Sequence, residues 1–278
     1  MNVRTARDLR TAHALVLSAV LVAACGSAAS ATRLVADSGV DPIASARAIV
    51  SAPDRTAKDR ALDAGRHPVE LLAFLHLEPG MKVADLGAGP GYTTELLARA
   101  AGPTGVVYMH NEPSWLPFLE DDLRDRLAHP VMVTGHVIRE EKPFETPLSD
   151  VDAKTIDLVV MNLIYHDIVN TKTNRDTMNR NIFEALRPGG RFVVIDSSAR
   201  AGSGVSATET LHRIDEEVVR QEVARVGFIL VAEGSFLRNP TDTRDWNSAP
   251  GASEKAGRRG TSDRFVLAFA RPETSRAR

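Results

Sequence analysis

The chain is poor in several things, and each scarcity excludes something. Of its 278 residues one is cysteine, Cys25, so no intramolecular disulfide can form. Charge of either sign is nearly balanced: 34 Lys and Arg stand against 36 Asp and Glu, a formal net charge of −2. A surface built for a polyanion carries a basic surplus, so nucleic acid is not expected as a substrate. There is no Gly-x-Ser-x-Gly elbow and no internal repeat. No His, Cys and carboxylate cluster stands at metal-ligand spacing, so no metal is expected. The mostly apolar run from Ala12 to Ala24 is too short to span a bilayer as a mature helix. What the chain does have is 43% hydrophobic residues beside 25% charged ones, enough for a sizeable core in one large domain or two.

Around Val83-Ala84-Asp85-Leu86-Gly87-Ala88-Gly89-Pro90-Gly91-Tyr92-Thr93-Thr94 an apolar strand makes a three-glycine turn and runs into a helical pattern, Glu95 to Ala100. A strand feeding a glycine turn at a helix N-terminus lets backbone approach a nucleotide and aims free N–H groups at it. The spacing Gly-x-Gly-x-Gly is not the dinucleotide Gly-x-Gly-x-x-Gly. Asp85, just before the turn, would repel a diphosphate and attract a sulfonium amino acid with a free ammonium.

These residues resemble the first motif of class I S-adenosylmethionine-dependent methyltransferases, and the resemblance extends from about Arg66 to Ala270. It looks closest to a subgroup whose members carry export signals. It implies an α/β, Rossmann-like doubly wound sheet of seven strands, mostly parallel, in the order 3-2-1-4-5-7-6, with an antiparallel last strand. The sequence pattern agrees, since strands alternate with helices. Strands are expected at Val83–Leu86, Val106–Met109, Val131–Val133, Ile156–Leu163, Arg191–Asp196, Phe228–Ala232 and Arg264–Ala270. Helices are expected from Pro68, from Ser114 to Ala128, around Met178–Leu186, and on Leu211, Ile214, Val218 and Val223. Arg187-Pro188-Gly189-Gly190 reads as the turn into the fifth strand. The methyltransferase-like domain is thus residues 66–272, with a long polar loop, 234–263, that holds Trp246 and is expected as a lid over the site, with a flexible surface loop as the alternative.

Ligands in open α/β sheets sit beyond the C-terminal strand ends. The cofactor, S-adenosylmethionine, is therefore expected against Asp85, Gly87, Gly89, Gly91, Tyr92, Asn111, Glu112 and Asn162. The resemblance implies an acid at the end of the second strand to grip both ribose hydroxyls. Asn111 stands there, with Glu112 one residue on. The adenine-facing acid implied after the third strand is replaced by Gly135-His136. Methyl transfer is an in-line displacement in which the enzyme aligns a nucleophile. A hydroxyl acceptor also needs a proton acceptor, and His166 with Asp167 is the candidate. Tyr165, Asp196, His212 and Trp246 are expected on the substrate side, with His212 and Asp215 sharing a helix face.

The N-terminus has a basic start, Arg4, Arg7 and Arg10, an apolar core and small residues, which is the secretory-signal pattern. Leu21-Val22-Ala23-Ala24-Cys25-Gly26 looks like a bacterial lipobox. That implies a signal peptide of residues 1–24, lipid on Cys25 and a protein anchored at the cell envelope, followed by a tether and helical segment over 25–65. Cleavage after Ala29-Ser30-Ala31, giving a soluble periplasmic or secreted protein, is the alternative. The functional expectation is a methyltransferase acting on a small-molecule or envelope acceptor. An NAD(P)-dependent oxidoreductase and an inactive ligand-binding protein on the same fold are the alternatives.

Overall fold

A computed structural model describes residues 41–273 of the chain. The expected signal segment and Cys25 lie outside the described residues. Three helices come first: α1 (Pro42–Val50), α2 (Ala57–Arg66) and α3 (Pro68–Leu75). Asp41 and Thr56 cap the first two through their side chains, and proline opens α1 and α3 at positions where a missing N–H costs nothing.

The sheet follows, with β1 (Lys82–Leu86), α4 (Tyr92–Ala101), β2 (Val106–His110), α5 (Glu120–Leu127), α6 (Pro130–Thr134), β3 (Val137–Glu140) and β4 (Ile156–Asn162). Next come α7 (Tyr165–Val169), α8 (Arg175–Ala185), β5 (Leu186–Ser197), α9 (Thr208–Leu211), α10 (Glu216–Arg225), β6 (Ile229–Gly234), α11 (Pro250–Lys255) and β7 (Arg264–Ala270). The seven strands lie in the order β3-β2-β1-β4-β5-β7-β6, as the resemblance implied. β3 to β5 pair parallel, and β7 runs antiparallel to both β5 and β6.

The continuous apolar strands divide by the two-residue period of the pleat. Ala84, Leu86, Val159, Met161, Phe192, Val194, Phe265 and Leu267 face one core with Ile182 of α8 and Val219 of α10. Val83, Leu158, Val160, Val193, Ile195 and Val266 face the other, with Leu71 of α3 and Leu97 of α4.

Three sequence expectations are corrected here. The run Val131-Met132-Val133 is helix α6, opened by Pro130, and the third strand is Val137–Glu140. Ser114–Ala128 is not one helix, because Pro117 lies inside a 3₁₀ segment, Pro113–Phe118, that precedes α5. Arg187 to Gly190 is a bulge within β5, whose pairing steps from Ile156↔Leu186 to Leu158↔Arg191. Among the described residues no helix is long and apolar enough to cross a membrane.

Candidate active site

The glycine turn between β1 and α4 has Gly87, Gly89 and Gly91 at φ of 66°, 56° and 84°, a region side-chain-bearing residues avoid. The three are not equivalent. A Cβ on Gly87 would lie 2.7 Å from Ile164 Cγ1, and one on Gly91 2.9 Å from Met109 Cε, whereas one on Gly89 would meet nothing within 4 Å. Gly89 alone opens toward space.

The turn is held by the end of β2. The Ala88 amide donates to the His110 carbonyl at 2.9 Å. The Gly89 amide donates to Asn111 Oδ1 at 2.8 Å, and Asn111 Nδ2 donates back to the Gly89 carbonyl at 3.2 Å. His110 Nε2 is 2.8 Å from the Lys142 carbonyl and so carries the proton, which leaves Nδ1 to accept from the Gly87 amide at 3.4 Å. Burial pushes the His110 imidazole down to about 4, so the ring is neutral in this role. Sequence reasoning missed His110, which reads as one more residue of an apolar strand. Asn111, expected at the ribose, uses both ends of its amide on Gly89. Glu112 Oε2 accepts from the Phe144 amide at 2.7 Å. Glu112 also lines a cleft of ≈ 280 Å³, beyond the end of β2, with Pro143 and Lys172.

Asp85 is buried in β1 and accepts from Thr94 Oγ1 at 2.6 Å. Burial pushes its carboxyl up to about 6, with the Thr94 hydroxyl and the Arg66 guanidinium pulling the other way. Arg66, at the end of α2, lies over the Tyr92 ring at 4.4 Å from its centroid. Its guanidinium makes no hydrogen bond among the described residues, and burial holds its pKa below the usual range. The Tyr92 hydroxyl donates to Asp63 Oδ1 at 2.7 Å, which turns the side chain toward α2. The Tyr92 ring, expected at the cofactor, is thus a platform for Arg66.

At the end of β4, Asn162 Nδ2 reaches Thr93 Oγ1 at 3.3 Å and ties this strand to the start of α4. Leu163 follows at φ 60°, an uncommon conformation for a bulky residue and one that recurs at functional sites. It turns the chain into α7, where Tyr165, His166 and Asp167 point to different surroundings. The Tyr165 hydroxyl donates to Glu222 Oε2 at 2.8 Å and accepts from Asn179 Nδ2 at 3.0 Å, fully inside the core. It does not face a substrate, and that expectation is corrected.

His166 Nδ1 lies 2.6 Å from Asp196 Oδ1, while the His166 backbone amide donates to Asp196 Oδ2 at 2.8 Å. Asp196 is fully buried and serves His166 rather than a substrate, a further correction. Asp167 Oδ1 lies 3.3 Å from His166 Nε2 and 3.1 Å from His212 Nδ1. Burial opposes the charge on His166, and the Asp196 and Asp167 carboxylates outweigh it, lifting the ring to about 10. Asp167 is held below the usual carboxylate range against its own burial, chiefly by its bond to His166.

His212 does not share a helix face with Asp215. α9 ends at Leu211, His212 takes φ 50°, and Asp215 caps α10. The long loop fixes this break. Arg213, fully buried, pairs with Asp242 at 2.7 Å and donates to the carbonyls of Ser198 and Trp246. Ser248 Oγ donates to the His212 carbonyl at 2.6 Å. Trp246 Nε1 donates to Asp242 at 2.7 Å, and the ring lies under Arg213 at 4.6 Å. Trp246 therefore braces the loop, where contact with substrate was expected.

Residues 84–194, from β1 and its glycine turn through β5, match the model of a methyltransferase-domain family. The chain is 28% identical over 131 residues to the ubiquinone/menaquinone biosynthesis C-methyltransferase of Burkholderia multivorans, covering 46% of this chain and 47% of that protein. The chain thus spans about half the length of the curated relatives it matches. An S-adenosylmethionine-dependent methyltransferase from Aquifex aeolicus superposes with a TM-score of 0.53 at 13% identity, covering 83% of this chain and 98% of that one. Geranyl diphosphate C-methyltransferase from Streptomyces coelicolor A3(2) gives 0.52 at 15% identity, with 81% and 87% covered. The chain shares the fold of these two methyltransferases, and residues 84–194 match the model of a methyltransferase-domain family.

Proposed function

We propose that the protein is an S-adenosylmethionine-dependent methyltransferase with a small-molecule acceptor. One observation carries this reading. At the glycine turn where the family match begins, a buried carboxylate, Asp85, and the Arg66 guanidinium, which makes no hydrogen bond among the described residues, influence one another. An amino-acid zwitterion complements both: its ammonium suits Asp85 and its carboxylate suits Arg66. Gly89 offers the open backbone beside them.

S-Adenosylmethionine supplies an electrophilic methyl group on sulfur. The chain's own residues bind and align. Glu112, bordering the cleft beyond β2, is the ribose acid in this reading, because the Asn111 amide is already engaged. Glu140 ends the third strand as the structure places it, so the adenine-side acid that the sequence register assigned to Gly135-His136 falls there instead. His166 and Asp167 meet the acceptor, with Asp196 fixing the ring through Nδ1 so that Nε2 lies on the Asp167 side.

Calorimetric titration with S-adenosylmethionine, its demethylated product and NAD tests the reading. The first two are expected to bind. Arg66→Ala is expected to weaken both by about 10–100-fold, the worth of a charge-assisted hydrogen bond. Binding of NAD alone would overturn the proposal in favour of an oxidoreductase. His166→Ala is expected to lose turnover while keeping cofactor affinity.

The proposal extends to location. The basic, apolar and small-residue N-terminus with Cys25 supports an exported lipoprotein held at the envelope by acyl chains. Acyl labelling of wild type but not of Cys25→Ser is the expected result, and label retained by the variant refutes it.

A further inference from the structure

His166, Asp167 and His212 are separated in sequence by up to 46 positions, and the structure brings one ligand atom of each within 4.8 Å of the others. Two of the three spacings, 3.3 Å for His166 Nε2 to Asp167 and 3.1 Å for His212 Nδ1 to Asp167, are close to what a metal ion imposes. With metal–nitrogen bonds of about 2.0–2.1 Å, tetrahedral ligand atoms stand roughly 3.3 Å apart. The three side chains do not share one environment. The His166 side chain is 7% exposed, whereas Asp167 and His212 are each 31% exposed, so the group is walled on one side and open to solvent on the other.

What surrounds the three is also what a metal site requires. Asp196 takes Nδ1 of His166, which leaves Nε2 as the ligating atom in the carboxylate–histidine–metal arrangement. Charge points the same way. Asp167 and Asp196 set two carboxyl groups against the His166 ring, and among the described residues neither touches a lysine or arginine. His212 is held at a positive φ, a conformation maintained by Ser248 on its carbonyl and by the Arg213–Asp242 pair next to it. Leu163, at the mouth of α7, is strained in the same sense.

We propose that His166 Nε2, Asp167 and His212 Nδ1 bind one divalent transition-metal ion, of the class that favours two imidazoles and a carboxylate. On binding, the proton between His166 Nε2 and Asp167 passes to solvent and the nitrogen lone pair goes to the metal. Three protein ligands leave a position on the solvent side for water or an oxygen of the acceptor. This site stands on its own geometry and needs no methyl donor.

The test is titration of chelator-stripped full-length protein with Co²⁺ and Zn²⁺, read by cobalt d–d absorption and by elemental analysis after dialysis. Wild type is expected to take up one ion per chain, with bands intense enough to mark four or five ligands. His212→Asn keeps a residue that tolerates positive φ and is expected to lose affinity by more than the 10–100-fold typical of a supporting residue. Asp167→Asn is expected to do the same, and Asp196→Asn to cost about 10–100-fold. His76→Ala, on α3's far end, is expected to change nothing. The proposal is overturned if wild type retains no stoichiometric ion, or if His212→Asn and Asp167→Asn both bind as tightly as wild type. Titration of the stripped protein with S-adenosylmethionine runs in parallel, so failure of the metal site and failure of the methyltransferase reading are seen separately.

Discussion

Asp85→Asn should give a protein that is more stable and binds worse. A carboxyl raised from 3.8 to about 6 holds its proton about 3 kcal/mol more tightly when folded than when unfolded. Above pH 6 that difference is a full penalty on the folded state. It shrinks as pH falls through the folded value and is gone below about 3.8, because both states are then protonated. Asparagine has no charge to bury and still accepts from Thr94, although it leaves Arg66 without its opposite charge. The expected gain at pH 8 is about 1–3 kcal/mol, vanishing near pH 4. In a domain of this size that raises the melting temperature by about 2–4 °C per kcal/mol. Urea unfolding at both pH values measures the difference. Titration of wild type with S-adenosylmethionine at pH 6, in two buffers of different ionisation enthalpy, should show release of about half a proton as the ammonium draws Asp85 into its charged form. The reasoning is refuted if the variant is no more stable than wild type at pH 8, or if its advantage is the same at pH 4.

Three further outcomes can be checked. Gly89→Ala should weaken cofactor binding with a stability cost of only about 1–2 kcal/mol, since its methyl enters open space; Gly87→Ala, driven into Ile164, should cost stability first, and calorimetry beside thermal melts separates them. Tyr165→Phe should lose about 1–3 kcal/mol, because Glu222 and Asn179 are left short of a partner and Asn179 Oδ1 already lacks one, while turnover per folded molecule is unchanged. Arg213→Met should cost about 3–5 kcal/mol in urea unfolding by stranding the Asp242 carboxylate.

The glycine turn and the β4 end were legible in sequence because backbone conformation and two-sided burial leave marks in local composition, whereas the strand order was implied by the family resemblance. The third strand was not. Val137 to Glu140 is an edge strand with exposed Ile138 and Arg139, so it lacks an apolar signature, and the stronger run Val131–Val133 lies on a helix that needs only Met132 inside. That slip also placed the position after the third strand at Gly135-His136, ahead of the strand that ends at Glu140. His212 was assigned to a helix because Leu211 and Ile214 fit its period. What breaks the helix there is long-range, the burial of Arg213 against a loop some thirty residues on. Tyr92, expected at the cofactor, and Tyr165 and Asp196, expected at the substrate, have side-chain directions set by Asp63, Glu222 and His166, which no local pattern reveals.

The fastening of Arg213 to Asp242 has a consequence for how this molecule could be altered. Surface excursions between sheet strands are ordinarily where a protein engineer trims, swaps or inserts sequence. Here the excursion before β7 carries the brace for a histidine on another part of the chain, so shortening it would release His212 from its unusual backbone pose. A graft elsewhere on the same edge would leave that histidine where it is.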